Sequence, residues 1–152
     1  MLPETSHAYA AGMLDGEGCL GITRVTKSGR VYHRADVRIA NTDVRVMAWL
    51  KENYGGWIQG HGFSKLGTKE CFQWHTSGKA MVAFLESVRP YMIIKAEQAD
   101  IVLAFRKTIR KVTGRKRSGQ GKDSGWESLD PVTPEIAQDR EKFRLKIVGL
   151  NA

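Results

Sequence analysis

The feature that most constrains this chain is a strict two-residue alternation between positions 31 and 39. Val31, His33, Ala35, Val37 and Ile39 fall on one side, and Tyr32, Arg34, Asp36 and Arg38 fall on the other. Period 2 belongs to a β-strand, whose successive side chains point to opposite faces of a sheet. A strand apolar on one face only predicts an antiparallel sheet, packed on a core on one side and open on the other. The open side carries charges and hydrogen-bonding groups, which suit plain solvation as well as contact with a ligand.

The segments around that strand extend the pattern. Lys27-Ser28-Gly29-Arg30 reads as a hairpin turn, joined to a strand from Cys19 in which Leu20 and Ile22 share one face and Gly21 and Thr23 the other. Upstream, Thr5 or Ser6 caps a helix through Leu14 that Gly16 and Gly18 stop. Downstream, Thr42 or Asp43 caps a second helix, in which Val46, Trp49 and Leu50 recur at helical spacing before Tyr54-Gly55-Gly56. Trp57-Ile58-Gln59 and Cys71-Phe72-Gln73-Trp74-His75 predict a second hairpin. Ser77 caps a third helix with Met81, Phe84, Leu85 and Val88, which Pro90 ends, and a fourth begins near Ile94. Residues 113–128, rich in Gly, Ser, Lys and Arg, read as a flexible basic loop. Thr133-Pro134 then starts a last helix that runs to about residue 148. The expected architecture is α+β, in the order αββαββα with additional C-terminal helices. One domain is expected over residues 1–152, with its core at about 5–110.

Charge narrows the partners. Lys and Arg number 24 against 16 Asp and Glu, a net +8. Cations that displace counterions from phosphates gain affinity without needing sequence information, so this balance suits a polyanion. No apolar run approaches the roughly 20 residues of a membrane span, and no secretory signal is visible at the start. Two cysteines, Cys19 and Cys71, do not make a disulfide framework, and an intracellular location is expected. His7, His33 and His75 lack metal-ligand spacing, so no zinc site is expected.

The stretch Ala10-Ala11-Gly12-Met13-Leu14-Asp15-Gly16-Glu17-Gly18 carries the chemistry. Small side chains at Ala8, Ala11 and Gly12 let two helix backbones approach closely, so Ala8, Ala11, Gly12 and Asp15 are the expected dimer-facing residues. Asp15 and Glu17 are expected just past the helix C-terminus, where the carbonyl end of the dipole favours a cation. A Glu17 carboxylate and the Gly16 carbonyl are hard oxygen ligands of the kind magnesium takes. The plain alternative is two acids decorating a helix-to-strand turn.

This stretch resembles the LAGLIDADG motif of homing endonucleases, and the helix before it and alternating strand after it agree. The resemblance extends from about residue 7 to 105. It implies a curved antiparallel sheet that binds double-stranded DNA, and site-specific cleavage of both strands with Mg2+, or Mn2+ in its place. Asn41 and Arg45 stand where the family keeps a polar and a basic residue that order the attacking water; four apart, they are expected on one helix face. Lys95, shortly after Pro90, matches the family's lysine at that point. Glu17 stands where aspartate is more frequent, and Asn41 is shorter than the glutamine of some relatives. No second copy of the motif is present, so one set of acids per chain implies a homodimer on a pseudo-palindromic site. Intron encoding also belongs to the resemblance.

Base contacts are expected from Thr23, Tyr32, Arg34, Asp36 and Arg38, with arginines to guanine and Asp36 to cytosine. Gln59, His61, Lys69 and Gln73 are further base-reading positions whose facing is open; if Phe72 and Trp74 are core, Gln73 faces DNA. Lys65, Arg115, Lys116, Arg117 and Lys122 fit phosphates better than bases. Two rival functions use the same fold: an RNA-binding intron maturase, and a DNA-binding regulator without cleavage. Such regulators often lose the acid that Glu17 retains, and the same acid argues against a maturase that has lost cleavage while leaving a dual role open.

Overall fold

The computed structural model describes residues 1–63, 69–109, 115–118, 125–128 and 132–152, with the backbone alone at 61–63, 115–118 and 125–128. Strands β1 (Gly18–Lys27), β2 (Arg30–Asn41), β3 (Trp57–Phe63) and β4 (Glu70–Ser77) form one antiparallel sheet in the order β1-β2-β4-β3. The β1–β2 turn has Ser28 at φ 51° and Gly29 at φ 73°. Two positive φ values in a two-residue loop match the twist of the strands it joins.

The helices are α1 (Glu4–Glu17), α2 (Val44–Tyr54), α3 (Gly78–Val88), α4 (Ala96–Lys107) and α5 (Pro134–Leu150), with a 3-10 turn at Arg89–Tyr91. They cover one face of the sheet. Leu20, Ile22, Ala35, Val37, Ile39 and Trp74 from the strands are buried with Leu14, Met47, Leu50, Met81, Phe84, Leu85, Val102 and Phe105 from the helices. The odd-numbered half of the 31–39 alternation is therefore the core half. Trp74 donates its indole N–H to the Gly55 carbonyl at 2.8 Å, which leaves no polar atom of that large side chain unpaired. Gly56 is required beside it, at φ 80° and with a Cβ position only 2.2 Å from the His75 carbonyl oxygen.

Helix α5 packs against β1, β2 and α4. His33 Nε2 lies 2.6 Å from Glu141 Oε2, and Arg140 Nη2 donates to the Thr108 carbonyl at 3.0 Å. Hydrogen bonds from His33 hold the Glu141 carboxyl below its ordinary range, aided by Arg144. Ile147 completes the core from the same helix. Thr133 caps α5, its hydroxyl accepting from the Ile136 N–H at 3.4 Å, with Pro134 next in line.

Some boundaries differ from those read in the sequence. Helix α1 starts after Pro3, with Thr5 and Ser6 inside its first turn, and runs through Gly16 to Glu17. Its last carbonyls are met by Lys95 from a distant segment, a cap that no local sequence signal reveals. The basic stretch contains a hairpin, β5 (Arg115–Ser118) paired with β6 (Gly125–Ser128), where a continuous loop was expected. Helix α4 begins at Ala96, because Ile93, Ile94 and Lys95 give their N–H groups to Asp15 instead.

Candidate active site and nucleic-acid face

The two acids of the motif have different surroundings. On the inner side of α1, Ala10, Ala11, Leu14 and Asp15 are buried. The Asp15 carboxylate accepts from the backbone N–H groups of Ile93 (2.7 Å), Ile94 (3.1 Å) and Lys95 (3.0 Å). Burial pushes its pKa up, but these donors and the nearby ammonium outweigh that effect and leave it below the ordinary value. Ala11 and Asp15, expected to face a partner chain, thus face their own core; helical geometry puts them on the side where Leu14 is sequestered.

The outer side is bare. Thr5, Ala8, Gly12 and Gly16 are exposed at three- or four-residue spacing, and a Cβ added at Gly12 or Gly16 meets nothing within 4 Å. Glu17 is exposed as the last residue of α1, within its final turn and not beyond it as expected. The chain then enters β1 directly: a Cβ on Gly18 would lie 2.5 Å from the Leu14 carbonyl oxygen. Gly18 pairs with Ile39, so Glu17 stands at the end of the sheet where Ala40 and Asn41 finish β2. Lys95 reaches the same place. Its ammonium donates to the carbonyl of Leu14 at 3.2 Å and to that of Asp15.

Asn41 and Arg45 do not share a helix face as expected, because Asn41 is the last residue of β2 and Arg45 the second of α2. Between them, Asn41 Oδ1 accepts from the Asp43 N–H at 2.9 Å, and Asp43 caps α2 by accepting from the Arg45 N–H at 2.9 Å. Asp43 also grips the Arg45 guanidinium, Nη2 at 2.6 Å and Nε at 3.0 Å. These bonds hold the Asp43 carboxyl down to about 2. Arg45 lines an open groove of about 510 Å³ with Thr5, Ser6, Tyr9, Val46 and Trp49. The sequence-read set therefore divides: Lys95 joins Glu17 at the end of α1, whereas Arg45 is held by Asp43.

The second half of the alternation forms the sheet's open face. Register places its residues in rows across the strands: Ala40–Gln73–Gln59, then Cys19–Arg38–His75–Trp57, then Gly21–Asp36–Ser77, then Thr23–Arg34 and Val25–Tyr32. On β1 and β2 this face carries four cations, Lys27, Arg30, Arg34 and Arg38, against one acid, Asp36. Thr23, Tyr32 and Arg34 are exposed as expected of base-contacting positions. Asp36 is not: it is 8% exposed, its carboxylate 3.7 Å from Arg38 Nε. Gly21 on the neighbouring strand lies against both, a Cβ there meeting Asp36 Oδ1 at 3.4 Å and Arg38 Nη2 at 3.5 Å, ordinary contact distances. Asp36 thus sits beside Arg38 at ion-pair distance and is largely withdrawn from solvent.

The second hairpin's facing is fixed by Trp74 and Ile58, which pair on the core side and turn Gln59 and Gln73 to the open side. Lys69 is exposed just before β4. The side chains of His61, Lys65, Arg115, Lys116, Arg117 and Lys122 lie outside the described residues. Sequence reading overlooked Trp57 and His75, whose rings stack on the open face at 5.3 Å and 7°. The signal was present in Trp57-Ile58-Gln59, where a core Ile58 sends both neighbours outward.

The αββαββα arrangement, with an open sheet face beside the end of α1, is the fold of the LAGLIDADG homing endonucleases. Solved structures similar to this chain include the homing endonuclease I-CvuI in complex with its target (18% identity, TM-score 0.72, covering 97% of this chain and 82% of that one). The archaeal intron-encoded homing endonuclease I-Vdi141I complexed with DNA is 12% identical at TM-score 0.72, over 97% and 84%. The homing endonuclease I-TnaI is 17% identical at TM-score 0.56, over 70% and 73%. No family profile and no curated protein sequence matches the chain.

The described residues contain no cluster of three metal-ligating side chains. With Asp15 committed to backbone donors, one chain offers Glu17 and the Gly16 carbonyl: hard oxygens suited to a divalent cation, and too few to enclose one.

Proposed function

We propose that this chain is a site-specific double-strand DNA endonuclease acting as a homodimer with Mg2+, for which Mn2+ can substitute. The observation that carries this reading is the meeting, at one end of the sheet, of an exposed acid, a bare small-residue helix face and a cationic open strand face. The shared fold supports it, since I-CvuI and I-Vdi141I were both solved with DNA.

The outer side of α1 fits a second α1. Small residues at Ala8, Gly12 and Gly16 let two helices approach to about 8 Å or less, where dispersion contacts accumulate. Ile93 and Ile94, 86% and 70% exposed beside the α1 terminus, supply apolar area that a second chain can cover. A twofold axis along α1 brings two Glu17 carboxylates together, one for each DNA strand.

Each residue then has a task. Glu17 and the Gly16 carbonyl hold a divalent cation, which when bound supplies charge neutralisation at the phosphate and acidifies water. Lys95, anchored on the α1 carbonyls, keeps a positive charge beside the same phosphate. Asn41 keeps its amide N–H donors for water, since its oxygen is taken by the Asp43 N–H. Arg45 faces the DNA backbone and exchanges its hold on Asp43 for a phosphate. Arg34 and Arg38 read guanines, while Thr23, Tyr32, Gln59 and Gln73 read neighbouring pairs.

The test uses duplex DNA made by joining the sequences that flank the reading frame. Cleavage of both strands is expected with Mg2+ or Mn2+, leaving short 3′ extensions, and none with chelator. Glu17→Gln is expected to bind that DNA and leave it intact; cleavage by this variant at the wild-type rate would overturn the assignment. Tight RNA binding without DNA cutting would replace this reading by a maturase.

A further inference from the structure

The stacked pair Trp57 and His75 has no task in the reading so far. Trp57 is 47% exposed, yet its ring is locked parallel to His75. An exposed indole on a cationic strand face leaves apolar area uncovered, and the stack fixes its rotamer before any partner arrives. Position adds a second constraint. His75 pairs with Arg38, and Arg38 with Cys19, two residues after Glu17. The indole thus ends the row that Cys19 begins, about 14 Å from it across three strand spacings.

We propose that Trp57, held by His75, recognises a thymine in the major groove. The inference rests on the DNA reading above. Thymine shows the groove an O4 acceptor and a 5-methyl group, whereas cytosine shows an amino donor and no methyl. An indole offers one N–H donor, no acceptor and a flat apolar surface. It complements thymine in both respects and cytosine in neither. Beyond His75 in the same row, Arg38 offers a guanidinium suited to a guanine. The row thereby reads two kinds of base edge with chemically distinct groups, and His75 acts as a positioning residue under the indole.

Selection from a pool of duplexes randomised over the half-sites tests this. The wild-type protein is expected to enrich one thymine per half-site that Trp57→Ala no longer enriches, with the other enriched positions unchanged. On the enriched duplex, replacing that thymine by uracil removes only the methyl and is expected to weaken wild-type binding about fourfold, with no effect on Trp57→Ala. Cytosine in its place is expected to weaken binding about tenfold or more. Trp57→Phe keeps the apolar ring without the N–H, so it should still prefer thymine to uracil while losing its preference for thymine over 5-methylcytosine. His75→Ala should blunt the thymine preference while thermal unfolding stays cooperative. A sharp consensus that Trp57→Ala leaves intact, or weakens evenly at every position, overturns the assignment and spares the DNA reading. A wild-type protein that enriches no duplex removes both.

Discussion

The two sides of α1 differ in what they are asked to do. The inner side, with Ala11, Leu14 and Asp15, is saturated: every group there has a partner within the chain, and Asp15 alone ties down three backbone N–H groups before α4. The outer side, with Ala8, Gly12, Gly16 and Glu17, is unspent, exposing a carboxylate and a row of small residues. Two acids one residue apart in sequence therefore belong to separate problems. Asp15 ties α1 to the segment before α4, and Glu17 stands exposed to solvent.

The largest effect should separate the acids by function. Glu17→Gln is expected to lower cleavage about a thousandfold, some 4 kcal/mol of barrier, with its denaturant unfolding curve unmoved. A shifted curve would break the division. Asp15→Ala should do the reverse. Three donors lose a charged acceptor at a buried site, so stability should fall by about 3 kcal/mol, read as a lower urea midpoint. The outer side predicts a smaller and mixed result. Gly12→Leu adds helix propensity worth about 1 kcal/mol, so each chain should unfold later. The same side chain obstructs close helix approach, and sedimentation should show a dimer weakened by about tenfold or more. Smallest is the pH effect. A carboxyl with a depressed folded pKa stabilises above its ordinary value, 3.8 for Asp15, and that contribution is lost as pH falls towards its lower folded value. Acid unfolding of Asp15→Asn should therefore depend less steeply on pH than that of the wild type; equal slopes would show that Asp15 carries no linked proton.

Much of this arrangement is legible in the sequence, because periodicity reports burial directly. The 31–39 alternation reports the orientation of β2, whereas the facing of the second hairpin stays open in the sequence and is fixed by Trp74 and Ile58 on the core side. Contacts across the fold were not legible. Nothing near Asp15 announces that residues 93–95 will bond it, and so its inward facing was missed. Asp36 failed for a related reason: period 2 assigns it to the open face correctly, but its burial there beside Arg38 depends on neighbours across the strands. Asn41 and Arg45 were placed on one helix because spacing cannot tell a capping turn from a helical one.

The open sheet face has a consequence for how such chains diverge. Residues in its rows point away from the core, so exchanging them leaves the scaffold's stability almost untouched. A lineage can exchange those side chains while its interior stays under strict volume constraint.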